Sequence, residues 1–287
     1  GIGLMSVTFL CFALLDCGAK WLVQTLPVLQ VVWLRFLFHA VFSTALLAPK
    51  FGAGILRTGW SVLRTRRPKL QFLRAMFLPV MTGLNFWALQ YLQLAETGAI
   101  QFSVPIIIAL IAAPLLGERM DRARWAAIMV GFIGVLVIVR PGTQGFHPAL
   151  LLSIINAVLY ALFNLMTRQL AAHDSPETTQ FYSSIGATLA ITPFALAFWR
   201  TPPGMQEWIV LYLIGISGGL GHYLLALAHR YAPASVLAPF LYQQIVWMVL
   251  LGYLVFGDVP DAAVVLGGAI VIASGGYLLW RERERAR

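Results

Sequence analysis

Residues 117–121 read Gly-Glu-Arg-Met-Asp, and residues 257–261 read Gly-Asp-Val-Pro-Asp. Each Gly-acid-x-x-Asp pentad lies between two long apolar segments, and the two copies stand 140 positions apart. At an offset of 148, Ala13-Leu14-x-Asp16-x-x-x-Lys20 aligns with Ala161-Leu162-x-Asn164-x-x-x-Arg168. At an offset of 138, Gly83 and Ala88-Leu89 align with Gly221 and Ala226-Leu227. The drop in offset falls where the first half carries its long basic connection, 49–70, so one insertion explains most of the change of register. Self-similarity on this scale marks a duplicated unit.

The composition says where that unit lives. The 287 residues are 60% hydrophobic and 11% charged, with a mean hydropathy of +0.81. Soluble domains keep about a quarter of their residues charged, so the chain is expected to be an integral membrane protein. Ten apolar stretches approach the ~20 residues a helix needs to cross hydrocarbon. They run over 2–22, 29–48, 71–94, 98–116 and 123–139 in the first half. In the second they run over 148–167, 178–199, 207–228, 235–256 and 262–280. The fold class read from them is an all-α membrane protein of ten transmembrane helices. The first stretch contains Asp16 and Lys20 and no small-x-small site, which predicts a retained helix instead of a cleaved leader. Cys11 and Cys17 lie six apart on that helix, too divergent around its axis for a disulfide.

Lys and Arg set the orientation. With the N-terminus in the cytoplasm, 16 of the 20 basic residues fall on cytoplasmic segments, and only Arg140 and Arg200 lie at outer connections. The expectation is a multi-pass protein of the inner or plasma membrane with both termini inside. The net charge of +9 is thereby a topology signal, and a nucleic-acid partner is not expected. Five spans per copy is an odd number, so residues 1–140 and 147–287 are expected to insert with opposite orientation. That is the inverted repeat of alternating-access carriers, with two five-helix units around a central cavity.

The residues around the pentads carry a family resemblance. Ala88-Leu89-Gln90-Tyr91-Leu92 and Leu94-Ala95-Glu96 lead to Gly117-Glu118-Arg119, Trp125 and a helix holding Gly131 and Gly134. The second half answers with Ala232-Pro233-Ala234-Ser235, Tyr242-Gln243-Gln244, Gly257-Asp258 and a Gly-rich last helix. Over its whole length the chain resembles the drug/metabolite transporter superfamily, EamA-type, and is similar to bacterial exporters of aromatic and other amino acids (the YddG type). The resemblance implies export of small amphipathic metabolites through a central cavity. One departure is Gln243-Gln244, where many relatives have Glu-Pro, so an acidic side chain is missing at that point.

Polar residues within the spans are the candidate site, because a charge at bilayer depth costs at least ~2.5 kcal/mol on insertion scales. Asp16 and Arg35 each lie about ten residues from the first hairpin turn, hence at one depth, ~14 Å from it. Lys20 is one turn from Asp16. Two readings stand: an ion pair that fixes the hairpin, or groups that meet the ammonium and carboxylate of a cargo. Asn85, Gln101, Tyr182, His222, Tyr242, Gln243 and Gln244 complete the cavity set. So do Asn156, Tyr160 and Asn164, which share one face of the sixth helix with Phe163. His222 reads either as a titrating group or as a neutral packing residue. Pro79, Pro105 and Pro239 are candidate hinges, since proline frees a carbonyl one turn earlier.

Other classes fit less well. Gly215-Ile216-Ser217-Gly218 resembles the serine motif of intramembrane rhomboid proteases, but His222 lies five residues on along the same helix, rotated by about 140°, so the base would have to come from another helix, where the remaining intramembrane candidate is His39. No His-Glu-x-x-His or Gly-Lys-Ser/Thr motif occurs, so neither metal, cofactor nor catalysis is expected. A sugar-nucleotide carrier should show clustered cavity cations, and only Lys20 and Arg35 are available. A lipophilic-cation exporter would use Asp16 with aromatic walls. The expected partners are a small-molecule cargo and the lipid bilayer, with monomer and oligomer both open.

Overall fold

The computed structural model describes residues 2–58, 64–104, 106–108, 110–111, 122–140, 146–171, 173–231 and 243–285. Among these, ten α-helices follow in order: α1 (Ile2–Leu22), α2 (Val28–Thr58), α3 (Pro68–Leu89), α4 (Leu94–Gln101), α5 (Arg122–Val139), α6 (Ala149–Ala171), α7 (Pro176–Ala197), α8 (Met205–Tyr231), α9 (Gln243–Leu251) and α10 (Ala262–Arg285). Local chemistry sets several boundaries. α3 begins with Pro68, whose missing N–H loses nothing in a first turn. α7 begins with Pro176 after Ser175, whose hydroxyl caps the Thr178 N–H at 3.1 Å. At α4 the Glu96 carboxylate accepts from the Gln93 N–H at 2.7 Å, closing a capping box.

Several boundaries differ from expectation: α3 ends at Leu89 instead of 94, α4 starts at Leu94 instead of 98, and α10 runs on to Arg285 instead of 280. Residues 49–58, read as basic linker, continue α2, and α3 starts three residues early at its proline. Among the described residues, five helices contain segments long and apolar enough to cross a membrane: α1, α2, α3, α6 and α8. α7 is of similar length, but its polar residues dilute its hydropathy. They face protein instead of lipid: Gln180 donates toward Ser43 and the Gly219 carbonyl, and Thr192 accepts from the Trp33 indole at 2.9 Å.

The helices of one half pack mainly on those of the other. α1 packs on α8 as α3 does on α6, α1 on α9 as α4 on α6, and α2 on α8 as α3 on α7. α2 with α7, α4 with α9 and α5 with α10 each join a helix to its own counterpart. Exchanging each helix for the one five places on leaves these contacts unchanged, as a two-fold repeat requires. The ends show the inversion. One end of the bundle, here the far face, gathers the close of α1, α3, α5 and α7: Gln90 donates to the Val23 carbonyl, and Arg140 pairs with Asp261 at 2.6 Å. The other, near face holds the start of α3 and the close of α6, where Arg74 donates to Thr167 at 2.7 Å. α1 thus ends at the far face and its counterpart α6 at the near face.

Each face also carries a clamp. On the far face Gln30 exchanges two hydrogen bonds with the Arg200 backbone, at 2.7 and 2.8 Å, and the Arg200 guanidinium reaches the Thr25 carbonyl. On the near face Asp174 accepts from the Arg66 N–H at 2.9 Å, from Gln71 at 3.0 Å and from the Thr65 hydroxyl. Burial works to raise the Asp174 carboxyl, but those hydrogen bonds, with His173 beside it, hold it below the ordinary carboxylate value.

α5 and α10 cross through glycine. A Cβ on Gly267 would stand 2.6 Å from the Gly134 carbonyl oxygen, and one on Gly134 would stand 2.9 Å from that of Gly267. Ser274 seals the same contact by donating to the Ala127 carbonyl at 2.5 Å. Gly267→Val should therefore cost about 1–3 kcal/mol, read as a lower unfolding temperature in detergent, with Gly276→Ala as a silent control because nothing lies within 4 Å of that position. A carboxyl depressed on folding contributes stability that is complete above its unfolded pKa, about 3.9, and fades as pH falls through its lower folded value. Asp174→Asn should therefore lower the unfolding temperature at pH 7, and its difference from the parent should shrink below about pH 4.

Candidate functional site

Helix α8 lies where the sequence placed a simple α1–α2 hairpin. It is the principal neighbour of α1 and also packs on α2. Its glycines make room: a Cβ on Gly218 would meet Leu15 at 3.0 Å and the Arg35 guanidinium at 3.1 Å, and one on Gly221 would meet the Phe12 ring at 2.7 Å. The wedge reassigns the charges. Asp16 and Arg35 do not form the expected direct ion pair, although each feels the other's charge. Asp16 accepts instead from the Asn85 amide of α3 at 2.9 Å.

Arg35 is 4% exposed, and its Nε and one terminal nitrogen have no hydrogen-bond partner. Its guanidinium lies over the Phe36 ring, 4.1 Å from the centroid. Such unmet donors cost about 1–3 kcal/mol, more for a charged group, when nothing answers them. Lys20, expected to stay with Asp16, pairs with Asp258 beyond the end of α9 and lies 4.5 Å over the Phe256 ring. The second pentad is therefore more than a turn within its own half.

Two imidazoles continue the cluster. His222 of α8 stacks on His39 of α2, with centroids 5.9 Å apart and planes 9° from parallel, and also meets Phe12 at 5.1 Å. His39 is 1% exposed, and its Nε2 lies 3.3 Å from the Gln180 amide. Among the described residues, Ser217 has no hydrogen bond to either ring.

On α6, Tyr160 stacks against Phe163 at 6.1 Å and touches both main apolar clusters of the bundle. Asn156 is 5% exposed with an unanswered side-chain oxygen, while Asn164 turns back to the Tyr160 carbonyl at 2.7 Å. Gln243, at the start of described α9, also has an unanswered side-chain oxygen, near Trp247, whose indole N–H is unanswered as well. Gln244 is partly buried beside it. Gln101 sits partly buried at the close of α4, and Tyr182 lies edge-on to Phe181. Pro79 is buried inside α3, which runs on through it. Tyr242, Pro105 and Pro239 lie outside the described residues, as does the first pentad, 117–121.

The structure thus brings Asp16, Asn85, Arg35 and His222 toward one polar centre lined by Phe12 and Phe36. Lys20 stands apart at the far face. His39, Gln180 and Arg74 lie outside the expected cavity set. Arg74 is 8% exposed, bonded to Thr167 and Ser183 and laid 4.2 Å over Phe163. Its place seven residues into α3 was the available signal.

The EamA-like transporter family matches the chain twice, at residues 1–140 and 147–280. An S-adenosylmethionine uptake transporter of Rickettsia felis is 27% identical over 286 residues, covering 99% of this chain and 94% of that protein. A riboflavin transporter of Vibrio cholerae is 33% identical over 230 residues, covering 78% and 76%. A pseudopaline exporter of Pseudomonas aeruginosa is 26% identical over 275 residues, covering 96% and 94%. A solved crystal structure at 21% identity shares the fold, with a TM-score of 0.64 over 94% of this chain and 96% of its own.

Replacing Asn85 by Leu would leave the buried Asp16 carboxylate without its hydrogen bond. The expected cost is about 1–3 kcal/mol, seen as a lower unfolding temperature in detergent, with Asn85→Gln recovering part of it.

Proposed function

The chain belongs to the EamA-like transporter family, and from that premise we propose that it exports small zwitterionic metabolites, amino acids and amino-acid-like solutes including aromatic ones, by alternating access. The observation that carries this reading is a buried cation and a buried carboxylate held near each other but not spent on each other. Arg35 keeps two unanswered nitrogens, and Asp16 uses one oxygen on Asn85. An α-ammonium would go to Asp16 and an α-carboxylate to Arg35, whose planar fork suits that shape. Phe12, Phe36 and the stacked imidazoles offer aromatic faces to the rest of the cargo.

What relatives are named for supports the breadth of the class. S-adenosylmethionine, carried by the Rickettsia protein, is itself an amino-acid derivative. Riboflavin, carried by the Vibrio protein, is a flat aromatic solute. One relative is named for uptake and another for export; export is assigned here on the resemblance to amino acid exporters. The near face is assigned to the cytoplasm of a bacterial inner membrane on the placement of Lys and Arg. A lipophilic cation fits less well, because Arg35 stands in the field of Asp16.

Proteoliposomes loaded in turn with phenylalanine, threonine, S-adenosylmethionine, riboflavin and a quaternary cation test the cargo. Efflux of the amino acids is expected; if only riboflavin or the cation moves, the reading fails. Asp16→Asn should abolish efflux while the protein still reaches the membrane. Arg35→Lys should weaken apparent affinity about 10- to 100-fold, the worth of a lost charge-assisted hydrogen bond. Parent-like efflux by either variant removes that residue from the site.

A further inference from the structure

Arg35 and Arg74 are the buried arginines among the described residues, and Arg74 is held quite differently. Its Nε donates to the Thr167 hydroxyl at 2.7 Å and one terminal nitrogen to the Ser183 hydroxyl, with the Phe163 ring beneath the guanidinium. Both hydroxyls spend their own protons on backbone carbonyls, Thr167 on that of Phe163 and Ser183 on that of Thr179, each at 2.7 Å. They are neutral acceptors that fix the guanidinium in place. Among the described residues no carboxylate answers its charge, and its other terminal nitrogen takes no hydrogen bond.

Its position ties Arg74 to the polar centre. On α3 it precedes Asn85, the partner of Asp16, by eleven residues. That spacing brings the two positions within about 20° around the helix axis and ~16 Å along it. The Arg74 charge acts on Tyr160, on the polar face of α6. It also acts on His222, which stands in the field of Arg35 as well. The centre is therefore elongated, with Asp16 and Asn85 toward the far face and Arg74 toward the near face.

Counting charge narrows what could fill it. Arg35 and Arg74 face one buried carboxylate, Asp16, while Lys20 is matched by Asp258. One positive charge is left over. Ionisable groups at bilayer depth pair with one another or mark the path of a solute, because an unmatched buried charge is costly. A simple zwitterion brings one charge of each sign and leaves the excess in place. A cargo with one further carboxylate removes it. A phosphate monoester, at about −1.5 to −2 near neutral pH, overshoots and meets no uncommitted hydroxyl proton on Thr167 or Ser183.

We propose that Arg74 is a second anion site of the cargo pocket, taking a carboxylate at the end of an amino acid's extended side chain while Asp16 and Arg35 hold its ammonium and α-carboxylate. The proposal rests on the amino-acid reading and narrows it, setting acidic cargoes with an extended side chain above neutral ones. Thr167 and Ser183 aim the guanidinium and Phe163 backs it, so the planar fork meets a planar carboxylate already in place.

The test titrates the full chain, purified in detergent at pH 7, by calorimetry with three probes. They are γ-glutamylglycine, γ-glutamylglycinamide, which has the same length without the second carboxylate, and phenylalanine. The parent should bind the acid about tenfold or more tightly than the amide, the worth of one charge-assisted hydrogen bond. Arg74→Gln should bring the acid's affinity down to that of the amide. Arg74→Lys keeps the charge without the planar fork and should cut the preference severalfold; it decides the matter where the glutamine variant does not fold. A residue that only supports the fold would weaken acid and amide together and leave their ratio at the parent value.

A preference that survives in the variants takes the role from Arg74 and overturns the proposal. If the parent binds phenylalanine and the amide as tightly as the acid, the second anion site falls and the amino-acid reading stands. If none of the three probes binds, the amino-acid reading fails and the second anion site with it.

Discussion

Hydrocarbon offers no partner to a charge or an unpaired polar group, so every such side chain within the spans has to be answered by another helix. Much of this bundle follows from that demand. Arg74 is answered by Thr167, Ser183 and the face of Phe163, which ties α3 to α6 and α7. Gln180 reaches His39, Ser43 and the Gly219 carbonyl, tying α7 to α2 and α8. Asp16 takes Asn85, tying α1 to α3. The polar residues act as cross-ties between helices whose outer faces carry exposed residues such as Phe132, Ile133, Leu213 and Leu266. Against this background the unanswered nitrogens of Arg35 stand out for the charge they carry, since the other unanswered groups within the spans, such as those of Asn156, Gln243 and Trp247, are neutral.

Glycine governs how closely the helices approach. Gly134 and Gly267 let α5 and α10 meet backbone to backbone, and Gly218, Gly219 and Gly221 let α8 enter between α1 and α2. That entry separates Asp16 from Arg35. Had α1 and α2 packed as an isolated hairpin, the two charges would have neutralised each other and left little for a cargo. A structural detail of packing thus keeps a carboxylate and a guanidinium in one centre without pairing them.

Inversion gives the two membrane faces related but unequal roles. Both carry a clamp built from a side-chain amide or carboxylate against backbone N–H and neighbouring donors. The far face adds Lys20 against Asp258, and Arg140 against the more exposed Asp261. The latter is a surface pair of the kind worth about 0–1 kcal/mol. The former is far better shielded and sits one turn from the polar centre, where its breaking or making has more to act on.

Membrane character, ten helices and two related halves were legible in one dimension, because hydropathy, charge bias and repeats are properties of residues in order. The parity of five spans was enough to anticipate opposite running directions for α1 and α6. The polar face of α6 and the packing glycines were likewise readable, since helical periodicity fixes which residues share a face. Partner choice was not. Asp16 and Arg35 lie at matching depth in the sequence, yet α8 comes between them. Lys20 is an i+4 neighbour of Asp16, yet its partner is 238 residues away. Depth and facing follow from local geometry, which the order of residues encodes; which opposite charge arrives at a given depth depends on how helices distant in the chain pack, and only the assembled bundle decides that.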